Sequence, residues 1–269
     1  MRGPLLRRST AAVALLAVCL TVASCAATAS GPDLPPTGAR FDYQLGGAYD
    51  PPAGVTIVAR DRTAAPAPGL YNVCYVNGFQ TQPGEQDLWP DHLLLRSDDG
   101  AVIHDPAWPD EAIVDTRHPD EVAAFVTPWI TGCARAGFDA VEFDNLDTYT
   151  RTEGALTFDD NLAVTRRLVE VAHDNGLAVA QKNAAEDTAR LHEDAGFDFA
   201  VAEECVAFDE CAAYTDVYGP HVLAIEYPDT LTTPWTDVCA DASLPASLIL
   251  RDRYLTLPGN PAYVYASCR

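Results

Sequence analysis

Short apolar runs alternate with longer stretches of helical periodicity along most of the chain. Eight runs have the length and the β-branched or small-apolar character of strands: residues 41–45, 55–60, 70–76, 138–144, 177–182, 197–203, 221–226 and 247–252. Between them apolar positions recur every three to four residues, most clearly over 118–137 and 158–176, and each of these two segments closes on a glycine suited to end a helix. Such alternation predicts βα units and a parallel sheet. Eight strands are the number that closes a (β/α)8 TIM barrel, so the expectation is a single α/β domain over residues 39–269. An open doubly wound sheet would share the alternation, but no glycine-rich dinucleotide fingerprint follows the first strands. Residues 80–117 fit neither pattern and predict an elaborated loop region on the barrel.

A glycine precedes several strands and allows them to be aligned on one another. Seven residues beyond Gly54, Gly137, Gly176, Gly196 and Gly219 stand Asp61, Asp144, Asn183, Glu203 and Glu226, each an acid or an amide. Four residues beyond the same glycines, every position is apolar. Strand side chains alternate faces, so the polar set is expected at the carboxyl ends of the strands, inside the mouth where barrel enzymes keep their sites. Gly69 breaks the pattern with Val76. Strand ends also carry Asp and Asn merely because loops begin there, but Glu203 and Glu226 are poor loop starters. Facing carboxylates suit glycoside hydrolysis, in which one acid protonates the departing oxygen and another carboxylate attacks or activates water. The register alone equally allows a carboxylate-bound divalent cation.

The N-terminus changes the picture of where the protein works. A basic start, a short apolar core and Val22-Ala23-Ser24-Cys25 read as a signal segment over residues 1–24 with a lipobox, which would make Cys25 a lipid-bearing residue. Cleavage after Ala29 is the alternative and yields a free secreted chain. Either reading exports the protein, with residues 25–38 as a Pro-rich tether. Apart from Cys19 and Cys25 six cysteines remain, an even number that predicts three disulfides in an exported protein, the close pair Cys205 and Cys211 first among them. No zinc-type cysteine spacing and no metal-ligand spacing of the six histidines occurs, so neither metal nor cofactor is expected. The formal charge of −22 disfavours nucleic acid and anionic membrane surfaces as partners and would attract a cationic substrate, leaving a lipid anchor as the expected route to a membrane.

The segments "AGFDAVEFDNLD", "LAVAQKN", "FDFAVAEEC" with Cys211 six residues on, "VLAIEYPD", "YQLGG" and "CYVNG" resemble the endo-α-1,4-polygalactosaminidases of glycoside hydrolase family 114. The resemblance runs from about residue 41 to 230. It implies a TIM barrel that cleaves α-1,4-linked galactosamine polymers, a cationic amino-sugar polysaccharide, without a cofactor. It also implies Asp144 and Glu203 as the catalytic pair. Glu203, rather than the adjacent Glu204, is two residues before the cysteine as the family motif requires. Ala202 and Phe143 depart from the asparagine and proline usual before these two acids, and both are expected to face away from the lumen.

Lys182 is the only lysine in the chain and aligns with the family's "K-N" motif. A compact ammonium among carboxylates would hold them ionised and in place, although at six residues from Gly176 its strand parity predicts an outward side chain. A strand-end lysine can instead form a Schiff base, which defines an alternative enzyme class. Asp61, Tyr75, Asn145, Asn183 and Glu226 join Lys182 as expected substrate-binding or tuning residues, with Trp108 as a sugar platform. Asp105, Asp115 and Arg117 are further candidates for the same cleft. The remaining alternative is a surface lipoprotein that binds amino-sugar polymers without cutting them.

Overall fold

The computed structural model describes residues 1, 3 and 31–268; the rest of the expected signal segment and Cys25 lie outside the described residues. Among the described residues nine strands form one sheet in chain order. They are β1 (Arg40–Gln44), β2 (Val55–Asp61), β3 (Tyr71–Asn77), β4 (Ala140–Asp144), β5 (Ala178–Lys182), β6 (Phe199–Glu203), β7 (Val222–Glu226), β8 (Ser247–Arg251) and β9 (Tyr265–Ser267). The first eight pair in parallel and coincide with the eight expected runs, while β9, which the apolar pattern did not single out, adds antiparallel to β8.

The helical layer is less regular than an eightfold alternation implies. Helices α1 (Pro119–Ala136), α2 (Phe158–Asp174), α3 (Thr188–Arg190), α4 (Cys211–Tyr218) and α5 (Trp235–Ala240) follow β3 to β7, whereas β1 and β2 lead to their successors through turns. α1 ends on Gly137 in the left-handed conformation, and α2 starts on a capping box between Thr157 and Asp160. Residues 80–117 form the expected elaboration. Isolated bridges such as Leu94 to Val114 and His104 to Ala112 fold it back on itself, over a small core of Leu95, Ile113 and Leu156. The last residues of the expected tether are held on the barrel, where the Tyr71 hydroxyl donates to the carbonyl of Asp33 at 2.7 Å.

Two apolar layers result from the alternation. Phe41, Ile57, Ala140, Phe199, Leu223 and Ile249 fill the barrel interior, and Val141, Phe143, Val179, Ala200 and Ala202 pack outward among the helices. Phe143 and Ala202 thus face away from the lumen, as expected. All three disulfides form: Cys74–Cys133 ties β3 to α1, Cys205–Cys211 closes the turn after β6, and Cys239–Cys268 ties α5 to the segment after β9.

The barrel closes without a strand ladder between β1 and β8. Arg251, fully buried at the end of β8, donates to Asp42 of β1 at 2.8 Å, to the carbonyl of Tyr43, and to the carbonyl of Val264 at 3.0 Å. Tyr265 of β9 also donates its hydroxyl to the carbonyl of Phe41 at 3.0 Å. Above this seam the loops after β1 and β8 meet at Gly46, where an added Cβ would stand 2.3 Å from the carbonyl oxygen of Leu255, so no larger residue fits.

Removing one partner of a buried ion pair strands the other charge. Arg251→Met is therefore expected to lower unfolding stability by about 3–5 kcal/mol, with part recovered in the Asp42→Asn/Arg251→Met double variant. Urea unfolding of both proteins measures this, and equal losses in the two would deny the pair its role.

Candidate active site

The carboxyl ends of the strands surround a cleft of about 540 Å³. Tyr75, Asp144, Lys182 and Glu203 reach it from β3 to β6, and Trp108 and Glu111 overhang it from the 80–117 elaboration. Glu204, Tyr227 and Arg253 line it from the loops that follow β6, β7 and β8.

Lys182 is the centre of the site. Its ammonium lies 3.1 Å from Glu203, 3.7 Å from Asp144 and 3.7 Å from Glu142, and only 3% of the side chain is exposed. The rings of Tyr43 and Tyr75 flank it, with centroids 5.3 and 6.0 Å away. The expectation of an outward lysine was wrong. Gly176 is followed by one residue before β5 begins, where Gly137 and Gly196 are each followed by two before β4 and β6, so the parity of β5 is shifted by one. Ala180 and Lys182 consequently face the lumen, and Gln181 turns outward to the Tyr218 hydroxyl at 2.7 Å.

The same counting failed for Glu226. Gly219 ends α4 at φ 57°, ψ −122°, unlike the left-handed caps Gly137 and Gly196, and β7 starts with the opposite face inward. Leu223 and Ile225 fill the lumen, while Glu226 is buried on the outer side. It accepts the backbone N–H groups of Val206 at 2.8 Å and Ala207 at 3.3 Å. Glu226 therefore holds the loop after β6 and does not reach the cleft. Burial pushes its carboxyl up to about 7.

Asp61 is also outside the cleft lining. It accepts from Thr63 and, at 2.7 Å, from the side-chain amide of Gln82, which does line the cleft. Asp115 and Arg117 pair with each other at 2.6 Å away from the cleft, whereas Asp105 lines it and pairs with Arg151 at 2.9 Å.

Each of three strands ends on a charged residue of this cluster and is followed by a residue with positive φ: Asn145 at 61°, Asn183 at 52° and Glu204 at 60°. Asparagine tolerates that region better than most side chains, which accounts for the "DN" and "KN" pairs. The turn aims Asn145 N–H at Asp144 at 2.8 Å, and Tyr75 donates to the other oxygen of Asp144 at 2.6 Å. Asn183 clamps Glu203 reciprocally, accepting its backbone N–H at 2.8 Å and donating to its carboxylate at 3.1 Å. Seventh-position counting thus reached Asn183 for a different reason: the turn, not strand alternation, brings its side chain in.

Electrostatics separates the carboxylates. Burial alone would raise Glu203, but the Lys182 charge, the Tyr227 hydroxyl and the Asn183 amide outweigh it and hold Glu203 below the usual range. Glu142 lies fully buried beneath the cleft floor and accepts from Tyr43 at 2.5 Å, and its second oxygen has no hydrogen-bond partner among the described residues. Burial dominates there and pushes Glu142 up to about 7, although Lys182 and Tyr43 pull the other way. For Lys182 burial disfavours the charge, but Asp144, Glu203 and Glu142 together raise it. A lysine held charged in this way is no Schiff-base nucleophile. Sequence reasoning assigned no role to Tyr43, Glu111, Glu142, Arg151, Tyr227 or Tyr254. Tyr227 could have been found, since it directly follows a strand end inside "IEYPD"; the loop residues carry no periodic signal.

The structure is a parallel α/β barrel with acids gathered at the carboxyl ends of its strands, the end at which barrel enzymes keep their sites. The family model of glycoside hydrolase family GH114 matches residues 21–269, and the chain belongs to that family of glycosidases. Its fold is similar to that of Ega3 from Aspergillus fumigatus, solved in complex with galactosamine, with a TM-score of 0.70 at 20% identity over 84% of this chain and 96% of that one. It is also similar to the glycoside hydrolase domain of PelA from Pseudomonas aeruginosa, with a TM-score of 0.57 at 14% identity over 84% and 97% of the two chains. At such identities the likeness shows the barrel alone. Comparison with curated proteins gave no match.

Tyr227→Phe deletes one of the donors that hold Glu203 ionised. The carboxyl of Glu203 then rises toward its ordinary value, so the acid limb of kcat/KM is expected to move to higher pH. A pH–rate profile of the two proteins checks this; an unmoved acid limb would separate Tyr227 from the ionisation of Glu203.

Proposed function

We propose that this protein is an exported endo-acting hydrolase of α-1,4-linked, galactosamine-containing polysaccharide, with Asp144 and Glu203 as its catalytic carboxylates. The observation that carries the reading is the placement of these two acids around one buried Lys182 ammonium, at 3.7 and 3.1 Å from it. Ega3, similar in fold, was solved with galactosamine, which supports an amino sugar as the unit bound. The acidic charge of the chain favours approach of a cationic polymer. Three disulfides support work in an oxidising compartment. Anchoring through lipid at Cys25 is part of the proposal and rests on the lipobox alone.

Lys182 also bounds the distance between the acids. Oxygens 3.7 and 3.1 Å from one nitrogen can be no further apart than the sum of those lengths. That bound applies to the two oxygens nearest Lys182, and it accommodates the closer carboxyl spacing of about 5–5.5 Å used with retention. On this reading one carboxylate attacks the anomeric carbon while the other protonates the departing oxygen, and the second then activates water against the glycosyl–enzyme bond. Lys182 keeps the attacking group anionic, Asn183 and Tyr75 fix the two carboxylates, and the face of Trp108 is a platform for the apolar side of a sugar ring.

Soluble protein starting near residue 38 is expected to release reducing ends from a deacetylated α-1,4-galactosamine polymer. Asp144→Asn and Glu203→Gln should each lose at least about a hundredfold. Proton NMR of the first product should show the anomer of the bond that was cut. Tight binding without turnover, unchanged by Asp144→Asn, would instead identify a carbohydrate-binding lipoprotein; appearance of the opposite anomer would remove retention.

A further inference from the structure

Six carboxylates line the cleft: Asp105, Glu111, Asp144, Asp147, Glu203 and Glu204. Three cations share the same walls, and each is already engaged. Lys182 serves Asp144 and Glu203, Arg151 pairs with Asp105 at 2.9 Å and Asp147 at 3.0 Å, and Arg253 pairs with Glu204 at 2.8 Å. Glu111 alone of the six forms no ion pair among the described residues. Its one side-chain hydrogen bond is a long one, accepted from the Asn77 amide at 3.4 Å.

The surroundings of Glu111 suit a positive charge supplied from outside the protein. Trp108, half-exposed, lies in the same turn, whose closing bond runs from Glu111 N–H to the Trp108 carbonyl at 2.9 Å. A carboxylate beside an accessible indole is a common arrangement for holding an ammonium group. Burial, reinforced by Asp144 and Asp105, pushes Glu111 up to about 7, while Asn77 and Arg151 oppose the shift only partly. Burial beside two acids therefore penalises the anionic form, and an incoming cation would relieve that penalty.

We propose that Glu111, together with the face of Trp108, forms an ammonium subsite beside Asp144 that selects sugar units with a free amine over N-acetylated units. This rests on the reading of the cleft as a glycan site. An acetamido group is neutral, so it would cover Glu111 without balancing it and leave a desolvated carboxylate unpaired. A free amine carries its own counter-charge, and its binding ionises Glu111 with release of the proton held there. At pH near 7 that release is partial. Well above 7 the group is already ionised and the release vanishes.

Calorimetric titration tests the subsite on the Glu203→Gln protein, which binds without consuming its ligand. The two probes are a galactosamine oligosaccharide and its fully N-acetylated counterpart, each measured in two buffers of different ionisation enthalpy. Adding Glu111→Gln is expected to weaken the free-amine oligomer roughly tenfold or more and to abolish proton release near pH 7. The N-acetylated oligomer should change less than about twofold, and its retained binding shows that the variant is folded. Equal losses for both probes, no loss for either, or no binding of the free-amine oligomer by the parent would overturn the subsite. Discrimination by Glu111 in a wild-type protein that cuts neither polymer would sink the hydrolase reading and keep the subsite. Cleavage of the deacetylated polymer that is indifferent to Glu111→Gln, in KM as in binding, would do the reverse.

Discussion

One buried ammonium organises the mouth of this barrel. Asp144 and Glu142 come from β4 and Glu203 from β6, the two strands flanking the β5 that carries Lys182, and without a cation between them their mutual repulsion and their burial would drive protons onto them. Lys182 removes most of that cost in a volume that excludes almost all solvent. Arginine, used everywhere else in the chain for positive charge, would serve poorly there. Its planar fork pairs best with one carboxylate at a time, while an ammonium turns its three hydrogens toward three separate acceptors. The choice of the single lysine is thus a matter of shape as much as of charge.

The second constraint is backbone direction at the strand ends. Asp144, Lys182 and Glu203 are each followed by a residue of positive φ, which swings the chain away from the lumen immediately after the working side chain. Asn145 and Asn183 make that turn and also brace the neighbouring acids through hydrogen bonds. At the third position the turn falls on Glu204, which is held by Arg253 and by the hydroxyl of Thr230. Arg253 in turn lies over the ring of Tyr227, 4.6 Å from its centroid, and Tyr227 donates to Glu203. The outer ion pair and the inner carboxylate are therefore one connected support.

Much of this was legible in the residues, and the failures have identifiable causes. The eight parallel strands follow directly from their apolar runs, because strands buried on both faces leave an almost unbroken signal. β9 is too short and too polar to leave one. Side-chain direction was legible only where the link from glycine to strand kept the same parity and a similar cap, as before Asp61, Asp144 and Glu203; Lys182, read as outward, faces the lumen, and Glu226, read as inward, faces out. Glu111 and Tyr254 lie on rim loops, whose course is set by contacts with sequence-distant partners and not by any local period.

The Asp42–Arg251 seam joins positions 209 residues apart. Each βα unit can form from contacts that are near in sequence, but the meeting of β1 with β8 has to overcome the loop entropy of almost the whole domain. A chain that has made every other strand pair still has two free sheet edges, open to any neighbouring chain in the same condition. The burial of one arginine at the end of β8 is thus the event that covers the two sheet edges against each other through side chains, and crowding during folding would be most damaging just before it.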